Sequence, residues 1–133
     1  MIPPLNEHGY LPPGLHAASL DEVIDRFGHG SELREAQAQS LRWLLPLCIQ
    51  AGIDKLLLNG TFVTNVVDPN DVDCVLLAPP DYDESAPAAQ RILDGLPFLE
   101  LRVVNEDDYA WYSTVLFASD RAMIPKGVIE VLT

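Results

Sequence analysis

The stretch Leu56-Leu57-Leu58-Asn59-Gly60-Thr61-Phe62-Val63-Thr64-Asn65-Val66-Val67-Asp68-Pro69-Asn70-Asp71-Val72-Asp73-Cys74-Val75-Leu76-Leu77 decides how the rest of the chain is read. Leu56 to Leu58 reads as a buried strand, Gly60-Thr61 as a turn, and Pro69-Asn70 as the end of a short excursion. A second strand then opens with Asp71-Val72-Asp73. Residues two apart in a strand project from one face, so Asp71 and Asp73 point the same way while Val72 and Cys74 face the opposite layer. Two acids beside a glycine turn form a seat for a hard divalent cation, because Mg²⁺ takes oxygen ligands and usually one or two carboxylates, with water and phosphate completing its shell. Gly60 lets a backbone approach a phosphate without a Cβ in the way, and Thr61 offers an amide and a hydroxyl. The bland account is that Asp68, Asn70 and Asp71 cap a turn and solvate a strand start.

The order of an apolar strand, Gly60-Thr61, nine intervening residues, then Asp71-Val72-Asp73 and Cys74-Val75-Leu76-Leu77 resembles the signature of the nucleotidyltransferase superfamily. There the pair is usually Gly-Ser or Gly-Gly, followed after a variable gap by Asp-x-Asp or Asp-x-Glu. The flanks, Gly9-Tyr10-Leu11-Pro12-Pro13-Gly14-Leu15-His16 and Asp120-Arg121 with Lys126-Gly127, are similar to those of small bacterial nucleotidyltransferase-like proteins. The resemblance implies an α/β (α+β) fold, a mixed β-sheet backed by helices on one face. It also implies metal-dependent transfer of a nucleoside monophosphate from a nucleoside triphosphate (NTP), with Mg²⁺ (or Mn²⁺) on Asp71 and Asp73 and the phosphates on Gly60, Thr61 and Lys126. Active members commonly add a third carboxylate from a neighbouring strand, and Glu100 is the candidate. Minimal antitoxin-type members imply a partner protein side chain as one acceptor.

Outward from this centre, Ser19-Leu20-Asp21-Glu22 has the capping-box form, and Leu20, Val23, Ile24 and Phe27 share one helical face before Gly28. Ser31 starts a longer helix whose stripe of Leu33, Gln37, Leu41, Leu44, Leu45 and Cys48 stops at Gly52. It backs the sheet and holds the Gly60 turn, with Pro46 removing one hydrogen bond and bending it. Pro79 to Pro87 is a solvated loop despite its second Asp-x-Asp, Asp81 and Asp83. Ala88 to Leu93 is a short helix. Phe98 to Val104 alternates as a strand, with Glu100 and Arg102 on one face, where they could equally form an ion pair. Glu106-Asp107-Asp108 reads as an acidic turn, Tyr109 to Phe117 as an aromatic strand, and Gly127 to Leu132 as the last strand. Tyr109, Trp111 and Tyr112 are core, or one of them stacks a base. Arg121 and Lys126 face a triphosphate or neutralise an acidic neighbourhood.

At 133 residues the sequence supports one domain, residues 19-133, behind an extended arm, residues 1-18. Pro3, Pro4, Pro12 and Pro13 keep that arm from pairing as a central strand, and His8 and His16 in it read as surface groups. Twenty acids against eight Lys and Arg give a net charge of −12, which repels a nucleic-acid backbone. It suits a basic protein partner or simply solubility. Cys48 and Cys74 lack metal-like spacing and lie in apolar segments, as buried thiols do. With no membrane-length apolar run and no secretion-signal pattern, the expected location is cytoplasmic. Two function classes follow. One is a small nucleotidyltransferase; the other is a catalytically silent interaction module on the same fold, such as the antitoxin of a toxin-antitoxin pair.

Overall fold

The leucine-rich strands are apolar at nearly every position because both faces of the sheet they build are covered. In the computed structural model, which describes residues 1–133, the strands are β1 (Gly14–Ala18), β2 (Lys55–Asn59), β3 (Val72–Leu77), β4 (Leu99–Val104) and β5 (Gly127–Leu132). They form one mixed sheet in the order β1-β5-β2-β3-β4. β2 is antiparallel to both β3 and β5, whereas the outer pairs β1·β5 and β3·β4 are parallel.

The helices are α1 (Leu20–Phe27), α2 (Glu32–Ala51), α3 (Pro87–Asp94) and α4 (Glu106–Thr114). Strand parity separates two cores. Leu56, Leu58, Val72, Cys74, Leu76, Ile129 and Val131 meet α1, α2 and α3 through Val23, Ile24, Phe27, Leu41, Leu44, Cys48 and Ile92. Leu57, Val75 and Val128 point the other way, onto Tyr109 and Phe117. Each fully buried Leu or Val contributes about 1.5–3 kcal/mol, so the two-sided sheet draws stability from Leu56, Leu57 and Leu58 alike.

The capping box at α1 forms as its sequence requires: the Ser19 side chain accepts from the Glu22 amide at 3.2 Å while the Ser19 amide donates back to Glu22. α2 runs unbroken through Pro46 from its Ser31 cap to Gly52, which adopts φ 79°. The arm is only partly outside the sheet. Its last residues, Gly14–Ala18, are the edge strand β1, and Gly127, where β5 begins, leaves room for the Pro12 carbonyl and the His16 ring, because a Cβ there would overlap the former.

The segment from Tyr109 to Phe117 is not a strand. It is mostly α4, followed by a 3₁₀ turn at Leu116–Ala118. Asn105 caps α4, its side chain accepting from the Asp108 amide at 2.9 Å, and Glu106, Asp107 and Asp108 fill the first turn where the helix dipole favours negative charge. The acidic triplet is thus a helix start, and its capping outweighs the β-preference of the aromatics. β5 accordingly has no hairpin partner before it; it crosses to the middle of the sheet, between β1 and β2. α4 also places a helix on the face opposite α1, α2 and α3.

Candidate functional site

The turn after β2 is built around Asp71. Gly60 has φ 90° and ψ −176°, a conformation that side chains rarely adopt, and a Cβ there would sit 2.9 Å from both the Asp71 carbonyl and its Oδ2. Thr61 closes the turn: its hydroxyl donates to Asp71 Oδ1 at 2.6 Å and its amide to the same oxygen at 3.1 Å, while the Asp71 amide donates to Thr61 Oγ1 at 3.3 Å. The Gly-Thr pair therefore orients a carboxylate. Burial works against charge on Asp71, but the bonds from Thr61, a contact with Asp73 and the field of Lys126 outweigh it and hold the carboxyl below its usual range.

Asp73 lies two residues on. In the sheet it faces Asn59 of β2 on one side and Glu100 of β4 on the other. Because β3 and β4 are parallel, the register itself sets Glu100 beside Asp73, and both project on the α4 face with Val75. Burial, contact with Glu100 and the charge of Asp71 push the Asp73 carboxyl up to about 7. Lys126, half-buried just before β5, has its ammonium disfavoured by burial and favoured by Asp73, Asp71 and Asp120. No Lys or Arg head group comes within 4.0 Å of any carboxylate in the molecule, so this acidic corner has no cation in contact.

Asp71, Asp73, Glu100, Gly60, Thr61 and Lys126 thus gather at one end of β2 and β3. Arg102 does not join Glu100: no ion pair forms between them. Arg121 is exposed in the loop before β5. Tyr109 is a core group whose hydroxyl donates to Glu130 at 2.8 Å; burial and Glu130 push it above its usual range. Trp111 is half-exposed, while Tyr112 packs on Phe117. His16 bonds the Pro12 carbonyl at 2.6 Å, and His8 is solvated beside Glu7. Asp83 binds the Ser85 amide and hydroxyl as a loop turn does. Cys48 and Cys74 are buried free thiols, both raised by burial, Cys48 to about 12.

Two residues near the site, Arg34 and Asn59, do not stand out in the sequence, and a third, Gln37, reads there only as part of the packing stripe of α2. Buried Arg34 on α2 donates five hydrogen bonds to the carbonyls of Phe27, Phe62, Thr64 and Val66, at 2.6 to 3.1 Å, which pins the loop between Thr61 and Asp71. Gln37, one turn on, donates to the Pro69 carbonyl at 2.8 Å. Asn59, 2% exposed, sits opposite Asp73 with its Oδ1 unpaired. A polar residue ending an apolar strand, with the parity of Leu57, was the available signal for Asn59.

No three His, Cys, Asp or Glu side chains form a ready metal cage, so a cation here would rest on one or two carboxylates, as Mg²⁺ commonly does. A cleft of about 950 Å³ opens elsewhere, at the other end of β3 and β4 between α3 and the Pro79-Pro80 loop. Comparison with curated proteins and with solved structures finds no match. The chain belongs to the family of unknown function DUF6932, which it matches over residues 3–132.

Proposed function

We propose that the protein is a metal-dependent nucleotidyltransferase-like enzyme that moves a nucleoside monophosphate from an NTP to an acceptor, one class of which is a partner protein side chain. The observation that carries this reading is Asp73, held between Asp71 and Glu100 on adjoining strands with no cation in contact. Such a cluster opposes its own ionisation, and a divalent cation relieves it. Asp71 and Asp73 would hold Mg²⁺ or Mn²⁺, which when bound supplies neutralisation of charge on the phosphate oxygens. Thr61 keeps Asp71 aimed. Lys126 faces the phosphates. Glu100, exposed at the start of β4, receives the proton of the acceptor hydroxyl as its oxygen bonds the α-phosphorus and the bond to the diphosphate breaks. Gly60 leaves the backbone low enough for Asp71 and the phosphate chain to share the corner.

Calorimetry with Mg²⁺ and each NTP tests the site. Heat of binding is expected from the wild type and not from the double variant Asp71→Ala, Asp73→Ala; silence from the wild type overturns the reading. Transfer of label from the triphosphate to a candidate acceptor then tests turnover.

A second reading, a silent interaction module, draws on the separate cleft. It exposes Leu93 and Val103 beside Asp54, Glu84 and Glu106, and no Lys or Arg lines it, a surface suited to a basic and partly apolar partner such as a toxin. Intact turnover in the absence of any partner would count against this reading.

A further inference from the structure

We infer that Asn59 is an oxygen donor of the cation site, its Oδ1 entering the coordination sphere directly or through one water. This inference rests on the reading of Asp71 and Asp73 as cation ligands, but the observation behind it is independent of the acids. Asn59 closes β2, where Leu56, Leu57 and Leu58 are all buried, and is itself 2% exposed. Its Oδ1 has no hydrogen-bond partner. A buried amide oxygen without a partner costs about 1–3 kcal/mol, and of the three buried side-chain oxygens left unpaired, those of Gln37 and Ser40 lie on α2 while that of Asn59 alone lies in the sheet beside the acids. What lies opposite is Asp73: the two residues are directly paired in the β2·β3 ladder, and strand parity sends both side chains to the same face.

The chemistry of the donor set fits a hard dication. Asp71 and Asp73 bring two negative charges and Asn59 brings a neutral carbonyl oxygen, so the site balances Mg²⁺ or Mn²⁺ without adding a carboxylate to a crowded corner. A Leu in this place would complete the apolar strand and relieve the orphan. The chain carries the amide instead, at the one β2 position next to the acids.

Mn²⁺ binding to the purified chain, followed by calorimetry and by the spin-resonance signal of free Mn²⁺, tests this in wild type, Asn59→Leu, Asn59→Asp and Asp73→Ala. Asn59→Leu keeps the branched skeleton and removes the oxygen. It is expected to weaken Mn²⁺ at least about tenfold while its melting temperature without metal is no lower than that of the wild type. Asn59→Asp keeps an oxygen and adds charge, and is expected to bind Mn²⁺ at pH 8 as tightly as the wild type or more so. An amide that merely donates to Asp73 predicts the reverse, because a carboxylate there would repel Asp73. Asn59→Leu binding within twofold of the wild type, while Asp73→Ala has lost the ion, overturns the role of Asn59 and leaves the site standing. Equal binding by wild type and Asp73→Ala overturns the site itself. If Asn59→Leu fails to fold, Asn59→Asp decides: weaker binding than wild type overturns the inference, and retained or tighter binding upholds it.

Discussion

At Asp73 the proposed function and the stability of the fold pull in opposite directions. Its carboxyl titrates near 7 in the fold against about 3.9 in an unfolded chain. The fold therefore favours the neutral acid: that contribution is fully present below pH 4 and is lost as the pH rises through 7. Without divalent cations, Asp73→Asn is expected to stabilise the protein at pH 8 by about 1–2 kcal/mol, a figure reduced for the partial exposure of the group. The gain should vanish at pH 4. Urea denaturation in EDTA at the two pH values measures it, and an equal effect at both would show that Asp73 ionises freely in the fold. Functional carboxylates commonly carry such a cost.

At the scale of elements, the site depends on how α2 grips the loop between β2 and β3. Arg34 is buried without a carboxylate in contact; burial disfavours its charge, with only the field of Asp68 opposing this. Its guanidinium fork satisfies four carbonyls at once, which the single ammonium of a lysine cannot do. Arg34→Met is expected to lower stability by about 3 kcal/mol or more, since it strands several buried acceptors, and Arg34→Lys by a smaller but measurable amount. Urea midpoints check both. A wild-type midpoint for Arg34→Met would mean that water replaces the guanidinium and that the loop is held by other means. The same element explains why Gly60 and Asp71, eleven positions apart, stay in contact: Arg34 and Gln37 fasten the intervening carbonyls from Phe62 to Pro69 to a helix that the core already fixes.

The whole molecule carries a net charge of −12 and has almost no ion pairs: a terminal amine with Glu22 at 3.5 Å, and His8 with Glu7. Self-repulsion on this scale destabilises a compact state until it is screened. Raising NaCl from about 10 to 150 mM shortens the screening length from about 30 to 8 Å and is expected to raise the melting temperature. MgCl₂ at equal ionic strength should raise it further in the wild type, by mass action on the native state, and no further than NaCl in the double variant Asp71→Ala, Asp73→Ala. Identical curves for the two salts in the wild type would mean that magnesium acts only as an ionic atmosphere. No helix is long and apolar enough to cross a membrane.

Local chemistry by itself determined much of this protein. The capping box at Ser19, the Ser31-to-Gly52 helix, the apolar strands around Gly60 and Asp71, and the alternation that defines β4 are each written within a few consecutive residues, because caps and periodicity act over one turn or one pleat. The same reach explains why Tyr109 to Phe117 reads as a strand: the β-preference of its aromatics lies inside the segment, whereas the Asn105 cap that starts the helix lies before it. Only the tertiary structure decided that β3 and β4 run parallel in a register that sets Glu100 beside Asp73. It alone decided that Lys126 reaches the same corner, that Arg34 holds the loop, and that Asn59 is buried with its oxygen unpaired. Those facts depend on which strand lies next to which, and strand order and register are fixed by packing across the sheet rather than by any short stretch of sequence.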